Sequence, residues 1–219
     1  DTVILSLLNG VTSEDIIADV YGKDKMLYSY FIGHSSVRCG NSVTHDDVNT
    51  IVFGAENNLS ENVVAVKNFF DKVGINYKIP DDIKRSMWLK FMLNVSANQP
   101  TAILRMTFGD MFENTHFMKF AENIMREVQS VAKAEGVLNT ETMVDEALKH
   151  LKTMTPDGKT SMLQDVEAGR KTEVDMFAGT VIELGKKHGI STPYNKILRE
   201  MIGIIEEHQD LHRQEVVRV

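Results

Sequence analysis

Lys90, Asn94 and Asn98 stand four residues apart in the stretch MWLKFMLNVSAN, residues 87–98. On an α-helix that spacing stacks three side chains along one slowly drifting stripe. Apart from Ser96, the rest of the stretch is apolar on almost every side, the pattern of a core helix rather than a surface one. A cation and two carboxamides in such a helix need partners, because an unpaired buried polar group costs about 2–7 kcal/mol. The simplest partner is a polar ligand held in a cleft. A lone lysine has a plainer alternative, laying its stem along apolar surface with its ammonium in water. Carboxamides have no such stem, so the stripe as a whole points to a site. An ammonium aimed at a reacting carbonyl can stabilise the developing oxyanion and supply its proton.

The second chemistry-bearing stretch is TSMLQDVEAGRKTEVD, residues 160–175. Ser161 followed by Gln164 fits a capping box, which by itself is a structural role. A hydroxyl at a helix start is also a seat for a carboxylate. Asp165, Gly169 and Glu173 are spaced by four and are expected to share a helix face, with Gly169 allowing close approach. The alternative for Glu173 is a solvated pairing with Arg170 or Lys171. Asn9-Gly10 reads as a turn after an apolar strand, and strand ends are also where open α/β sheets bind ligands. There is no HExxH motif and no cysteine cluster, so no metal site is expected. The absence of a G-x-S-x-G elbow argues against a hydrolase.

The elements that must position these residues follow from periodicity. Residues 3–8 read as a buried strand, and Ser13 is placed to cap a short helix that ends at Gly22. Residues 25–31, 50–53 and 75–79 read as strands, and 33–45 as irregular or a hairpin. Residues 62–73 form an amphipathic helix with Val63, Val66, Phe69, Phe70 and Val73 inward. Strands alternating with helices imply an α/β sheet. After Pro80 the chain reads as helix throughout, over 108–135, 140–154, 161–188 and 193–208. The expected domains are therefore 1–80 and 81–219. The central helix is expected to start near Asp81 and to bend or end at Pro100. The terminal HQDLHRQEVVRV is polar and expected to fray.

With 219 residues, 42% hydrophobic and 25% charged, the chain can bury ordinary globular cores. Its net charge of −7, with no basic block, argues against nucleic acid as a partner. No apolar run reaches membrane-span length and none resembles a signal peptide. The one cysteine, Cys39, excludes an internal disulfide and suits a cytoplasmic location.

Three segments, SLLNG, MWLKFMLNVSANQPTAIL and SMLQDVEAGRKTEVD, together resemble the ketopantoate reductase (2-dehydropantoate 2-reductase) family in order and spacing. The third carries the family's S-M-L-Q-D-x-x-x-x-R-x-T-E-x-D pattern. The resemblance implies a partial Rossmann domain, later strands only, followed by an all-helical domain of the 6-phosphogluconate dehydrogenase C-terminal type. In that family the active site lies in the cleft between the domains. It implies NADPH-dependent reduction of 2-dehydropantoate to pantoate in pantothenate biosynthesis. By the same resemblance Lys90 is the catalytic lysine, Asn94, Asn98, Ser161 and Glu173 bind substrate, and Asn9 lies near the nicotinamide. A homodimer through the helical domain is compatible with it.

Two departures stand out. The family's opening G-x-G-x-x-G turn, which receives the cofactor pyrophosphate, does not occur here. The chain opens at Asp1 directly into an apolar strand, so a preceding segment is expected, and the chain alone is expected to be inactive. The stretch GHSSVRCGNSVTHDD is less glycine-rich than the family shows. Two other readings remain: a related NAD(P)-dependent 2-keto or β-hydroxy acid dehydrogenase, and a non-catalytic helical dimerisation module.

Overall fold

A computed structural model describes residues 2–33, 37–44 and 49–217. The chain divides into two compact units, Asp1–Trp88 and Leu89–Val219. The division falls inside a helix, whereas the change of sequence character comes at residue 80.

The first unit is α/β. Its elements are β1 (Ile4–Leu5), α1 (Ser13–Tyr21), β2 (Met26–Ile32), β3 (Val37–Cys39), β4 (Ser42–Thr44), β5 (Thr50–Gly54), α2 (Glu61–Val73) and β6 (Tyr77–Lys78). Four strands form a mixed sheet in the order β1-β2-β5-β6. β1 runs parallel to β2, β2 antiparallel to β5 with Tyr30 opposite Val52, and β5 parallel to β6. Side chains alternate across a strand. Accordingly, Leu27 and Phe53 pack on one face with Val63, Val66 and Phe70 of α2. Tyr30 and Val52 pack on the other with Ile83 and Met87. The rings of Phe53 and Phe70 meet edge-on at 5.4 Å, a favoured aromatic geometry. Phe69 and Val73, expected inward, are exposed at 56% and 49%, because the buried stripe of α2 is narrower than its apolar content.

β3 and β4 pair as the hairpin allowed for residues 33–45, although 34–36 and 45 lie outside the described residues, as does part of the glycine-poor stretch 33–47. The first and last strands are only two residues each, shorter than their apolar runs. Ser13 does not cap α1. Thr12 occupies the cap position without a side-chain bond, and Ser13 is already helical.

The third helix, α3 (Ile83–Leu104), begins in the first unit and continues in the second. Helix runs through Pro100 rather than ending there. Proline removes one helical donor. In the same turns Gln99 Nε2 donates to Val95 O at 2.9 Å, and Thr101 Oγ1 to Ala97 O at 2.7 Å. Gln99, Pro100 and Thr101 are all buried, so packing holds the segment helical.

The second unit is helical, with α4 (Phe108–Glu113), α5 (Thr115–Ala134), α6 (Met143–Leu151), α7 (Ser161–Glu167), α8 (Thr180–His188) and α9 (Pro193–Val217). Thr107 and Asp110 form a capping box at α4, and the Asn114 side chain accepts from Phe117 N at the start of α5, which separates what the sequence reads as one helix. Ile124, Met125, Met143, Leu163, Phe177 and Ile202 are fully buried. Glu127 of α5 accepts from Tyr194 N at 2.8 Å and Asn195 N at 3.1 Å, a carboxylate placed against the positive end of α9. α9 continues to Val217, past the point where fraying is expected. Among the described residues no helix is long and apolar enough to cross a membrane.

Candidate active site

The central helix is buried nearly all round. Phe91, Met92 and Val95 are at most 1% exposed, while Lys90 and Asn94 are half-buried and Asn98 is 8% exposed. Lys90 therefore carries its amine in a largely apolar setting. Burial pushes its pKa below the ordinary lysine value, since desolvation disfavours the cation, and the negative charge of Glu173 pulls it back in part. Glu173 is itself half-buried. These two residues, remote in sequence, are thus electrostatic neighbours within the helical unit.

The local structure that presents Glu173 differs from the expected continuous helix. α7 ends at Glu167, and Gly169 adopts φ 65°. Gly169 N donates to Val166 O at 3.1 Å and Arg170 N to Asp165 O at 2.8 Å. That is the Schellman closure, in which a left-handed glycine ends a helix. Asp165, Gly169 and Glu173 consequently do not share a helix face. Arg170 pairs with Asp165 at 2.8 Å. The chain then turns helical again at Val174 and passes through a π-helical turn, Asp175–Gly179, into α8. Such turns widen a helix locally and are frequent at functional sites.

Ser161 also has a different place from its expected cap. Thr160 is the cap of α7: its Oγ1 accepts from Leu163 N at 3.2 Å and shares a hydrogen bond of 2.8 Å with Thr101 Oγ1 of α3. Gln164 bonds to Lys159 O instead of closing a capping box. With the capping done by Thr160, the Ser161 hydroxyl is left to accept from Asn98 Nδ2 at 3.3 Å. The paired threonines, which the sequence reading passes over, dock the start of α7 on α3 one residue from that contact. The structure so brings Lys90 to Glu173 and Asn98 to Ser161, with Asn94 between Lys90 and Asn98 on the same helix.

Asn9 lies in the first unit, half-buried in a bend that follows β1, with Gly10 at φ 107°. Nearby side chains form a buried polar network: Ser29 Oγ donates to Ser6 O at 2.7 Å, Ser6 and Ser13 hydroxyls meet at 2.8 Å, and Ser13 Oγ donates to Glu14 Oε2 at 3.0 Å. His208 and His212 have the i, i+4 spacing of a metal-binding pair, which the motif reading omits. Among the described residues no group of three or more His, Cys, Asp or Glu side chains could hold a metal ion. A surface cavity of about 430 Å³, lined by Arg170, Lys171, Gly203 and Glu206 among others, includes none of the expected site residues.

Comparison with known proteins places the chain in a family and a fold. Residues 82–206 match the family described as "Ketopantoate reductase PanE/ApbA C terminal". The 2-dehydropantoate 2-reductase of Archaeoglobus fulgidus is 27% identical over 204 residues, covering 93% of this chain and 68% of that protein. Among solved structures, the 2-dehydropantoate 2-reductase of Geobacter metallireducens GS-15 aligns with TM-score 0.81 at 25% identity, over 92% of this chain and 67% of that one. A ternary structure of D-mandelate dehydrogenase with NADH and anilino(oxo)acetate aligns with TM-score 0.84 at 25% identity, over 96% and 69%. The chain spans about two thirds of the length of the curated relatives it matches.

Proposed function

The chain belongs to the ketopantoate reductase family, and from that premise we propose that the protein reduces 2-dehydropantoate to pantoate with NADPH. The observation that carries the reading is Lys90: an amine on a buried helix, depressed in pKa by burial and faced by the charge of Glu173. A depressed pKa makes the ammonium a better proton donor. Lys90 stabilises negative charge on the C2 carbonyl oxygen and delivers the proton that becomes the product hydroxyl hydrogen. Ser161 and Asn98, already hydrogen-bonded to one another, hold the substrate's polar groups, together with Asn94 and Glu173. A substrate lacking one of those groups leaves buried polar atoms unpaired, which is a source of specificity.

Asn9 fits the nicotinamide end of the cofactor. Its carboxamide offers both a donor and an acceptor, and the neighbouring Gly10 backbone, at positive φ and without a Cβ, gives room at the end of a strand. When bound, the cofactor supplies the hydride. The direct test is Lys90→Met in the full-length protein, assayed by reduction of 2-dehydropantoate. The variant is expected to fold and to lose most of kcat, whereas near-normal turnover removes Lys90 from the mechanism.

A second reading is an NADH-dependent dehydrogenase for another 2-keto acid, favoured by the likeness to D-mandelate dehydrogenase. A panel of 2-keto acids against NADH and NADPH separates the two, because only the first reading makes 2-dehydropantoate with NADPH the best pair. The dimer expected through the helical unit has a face available to it. Ile197, Met201, Ile204 and Leu211 are exposed along α9 at steps of four, three and seven residues, the spacing of a helix-pairing seam. Sedimentation of the parent beside Ile204→Glu tests that pairing.

A further inference from the structure

Glu173 sits where the chain has little regular structure of its own. α7 has closed at Gly169, and the next helical turn starts only at Val174. What fixes the intervening segment comes from α9. Glu206 Oε1 accepts from Thr172 N at 2.7 Å and from Thr172 Oγ1 at 2.7 Å. The Thr172 hydroxyl oxygen in turn accepts from Val174 N at 3.3 Å. Thr172 is 9% exposed. The residue before Glu173 is therefore tethered through both its amide and its hydroxyl, and the residue after it is capped by the same hydroxyl. Hydrogen bonds to an ionised carboxylate are among the stronger ones.

We propose that Glu206 is a positioning residue for the site: through Thr172 it fixes the backbone that directs the Glu173 carboxylate toward the Lys90 amine. The inference rests on reading Lys90 and Glu173 as one site. A carboxylate on a long side chain loses its aim if its backbone can rotate, and a misplacement of about 1 Å can cost on the order of a hundredfold in rate. Glu206 also lines the surface cavity of about 430 Å³ beside Arg170 and Lys171. Shortening it enlarges an existing surface hollow and opens no void in the core, so the variant is expected to fold.

The test follows the Lys90 amine by NMR on lysine-labelled protein, in the parent, Glu206→Ala, Thr172→Val, Thr172→Ser and Glu173→Gln, each with a thermal melt. The Glu173 charge holds the Lys90 pKa up against burial. Loosening Glu173 should therefore move the Lys90 titration downward, in the same direction as Glu173→Gln, in both Glu206→Ala and Thr172→Val. Thr172→Ser, which keeps the hydroxyl and the amide, should restore it. In full-length protein the same two variants should lower kcat/KM about tenfold or more, with Thr172→Ser close to the parent.

If Glu173→Gln moves the Lys90 titration and Glu206→Ala does not, while its melting temperature falls, Glu206 is a plain cap and the proposal is overturned. If Glu173→Gln leaves Lys90 unmoved, the pairing of Lys90 with Glu173 is wrong and the proposal falls with it. The two failures are thus told apart by one control.

Discussion

Each unit takes an ionisable side chain on a helix out of water, and the two are accommodated in opposite ways. Glu14 of α1 is 3% exposed, and burial pushes its pKa up. Hydrogen bonds from backbone groups at Glu14 and Ser29 and from the Ser13 side chain pull it part of the way back, and one carboxyl oxygen has no hydrogen-bond partner among the described residues. Its support is largely neutral and starts with the adjacent residue. Lys90 of α3 is pushed down by burial and drawn back by the charge of Glu173, a residue from a distant part of the chain that needs its own tether. A charge eased by hydroxyls close in sequence needs only a local solution. A charge opposed by another charge, brought across the fold and held there, gains nothing in simple stability, because replacing buried ion pairs by apolar groups is often neutral or stabilising. The second arrangement suits the catalytic acid proposed for Lys90.

The comparison breaks most visibly at Lys90. Lys90→Met in full-length protein should lower kcat by about 10²–10⁴-fold, the range for loss of a general acid, in a steady-state assay with 2-dehydropantoate. A loss of similar size from any substitution at Glu14 would erase the distinction between the units.

Asn98→Ala and Ser161→Ala come next. Each breaks the 3.3 Å contact between α3 and α7 and should raise KM for the keto acid about tenfold, with a smaller effect on kcat. Unchanged KM in both would take this pair out of the substrate pocket. The pH profile sharpens the same contrast. In the proposed mechanism the acid form of Lys90 is the working form, so activity should hold below its depressed pKa and fall as pH rises through it. Glu173→Gln should shift that fall to lower pH.

The smallest effect belongs to Glu14. Its folded pKa lies above the ordinary carboxylate value, so the stability it permits is complete below that value and declines as pH rises through the raised one. Glu14→Gln should flatten that decline in melting curves taken across the acid range, at a cost of at most about 1 kcal/mol at low pH, and should leave the Lys90 titration untouched.

Much of this was legible in the chain itself. The all-round apolar character of residues 87–97 marks α3 as a core helix, and the spacing of Lys90, Asn94 and Asn98 marks its polar stripe. The alternation of short apolar runs and helices before Pro80 marks the α/β unit. What could not be read depends on contacts between distant residues or on a choice between neighbours. Thr160 and Ser161 are equally able to cap α7, and only the Thr101 hydroxyl on α3 favours the former. Gly169 fits a helix stop and a close-approach site equally well, so the sequence does not distinguish a break between Asp165 and Glu173 from a continuous helix. Pro100 stays helical because its surroundings are buried, a tertiary effect that overrides the local preference. Glu206 carries no motif at all, and its bond to Thr172 exists only once α9 is packed.

The most direct check is a titration of the Lys90 amine, by NMR on lysine-labelled protein, in the parent and in Glu173→Gln. The expected result is a pKa below the ordinary lysine value of 10.5 in the parent and a further fall when Glu173 loses its charge. A Lys90 that titrates as an ordinary surface lysine, indifferent to Glu173, contradicts the assignment of these two residues to one active site.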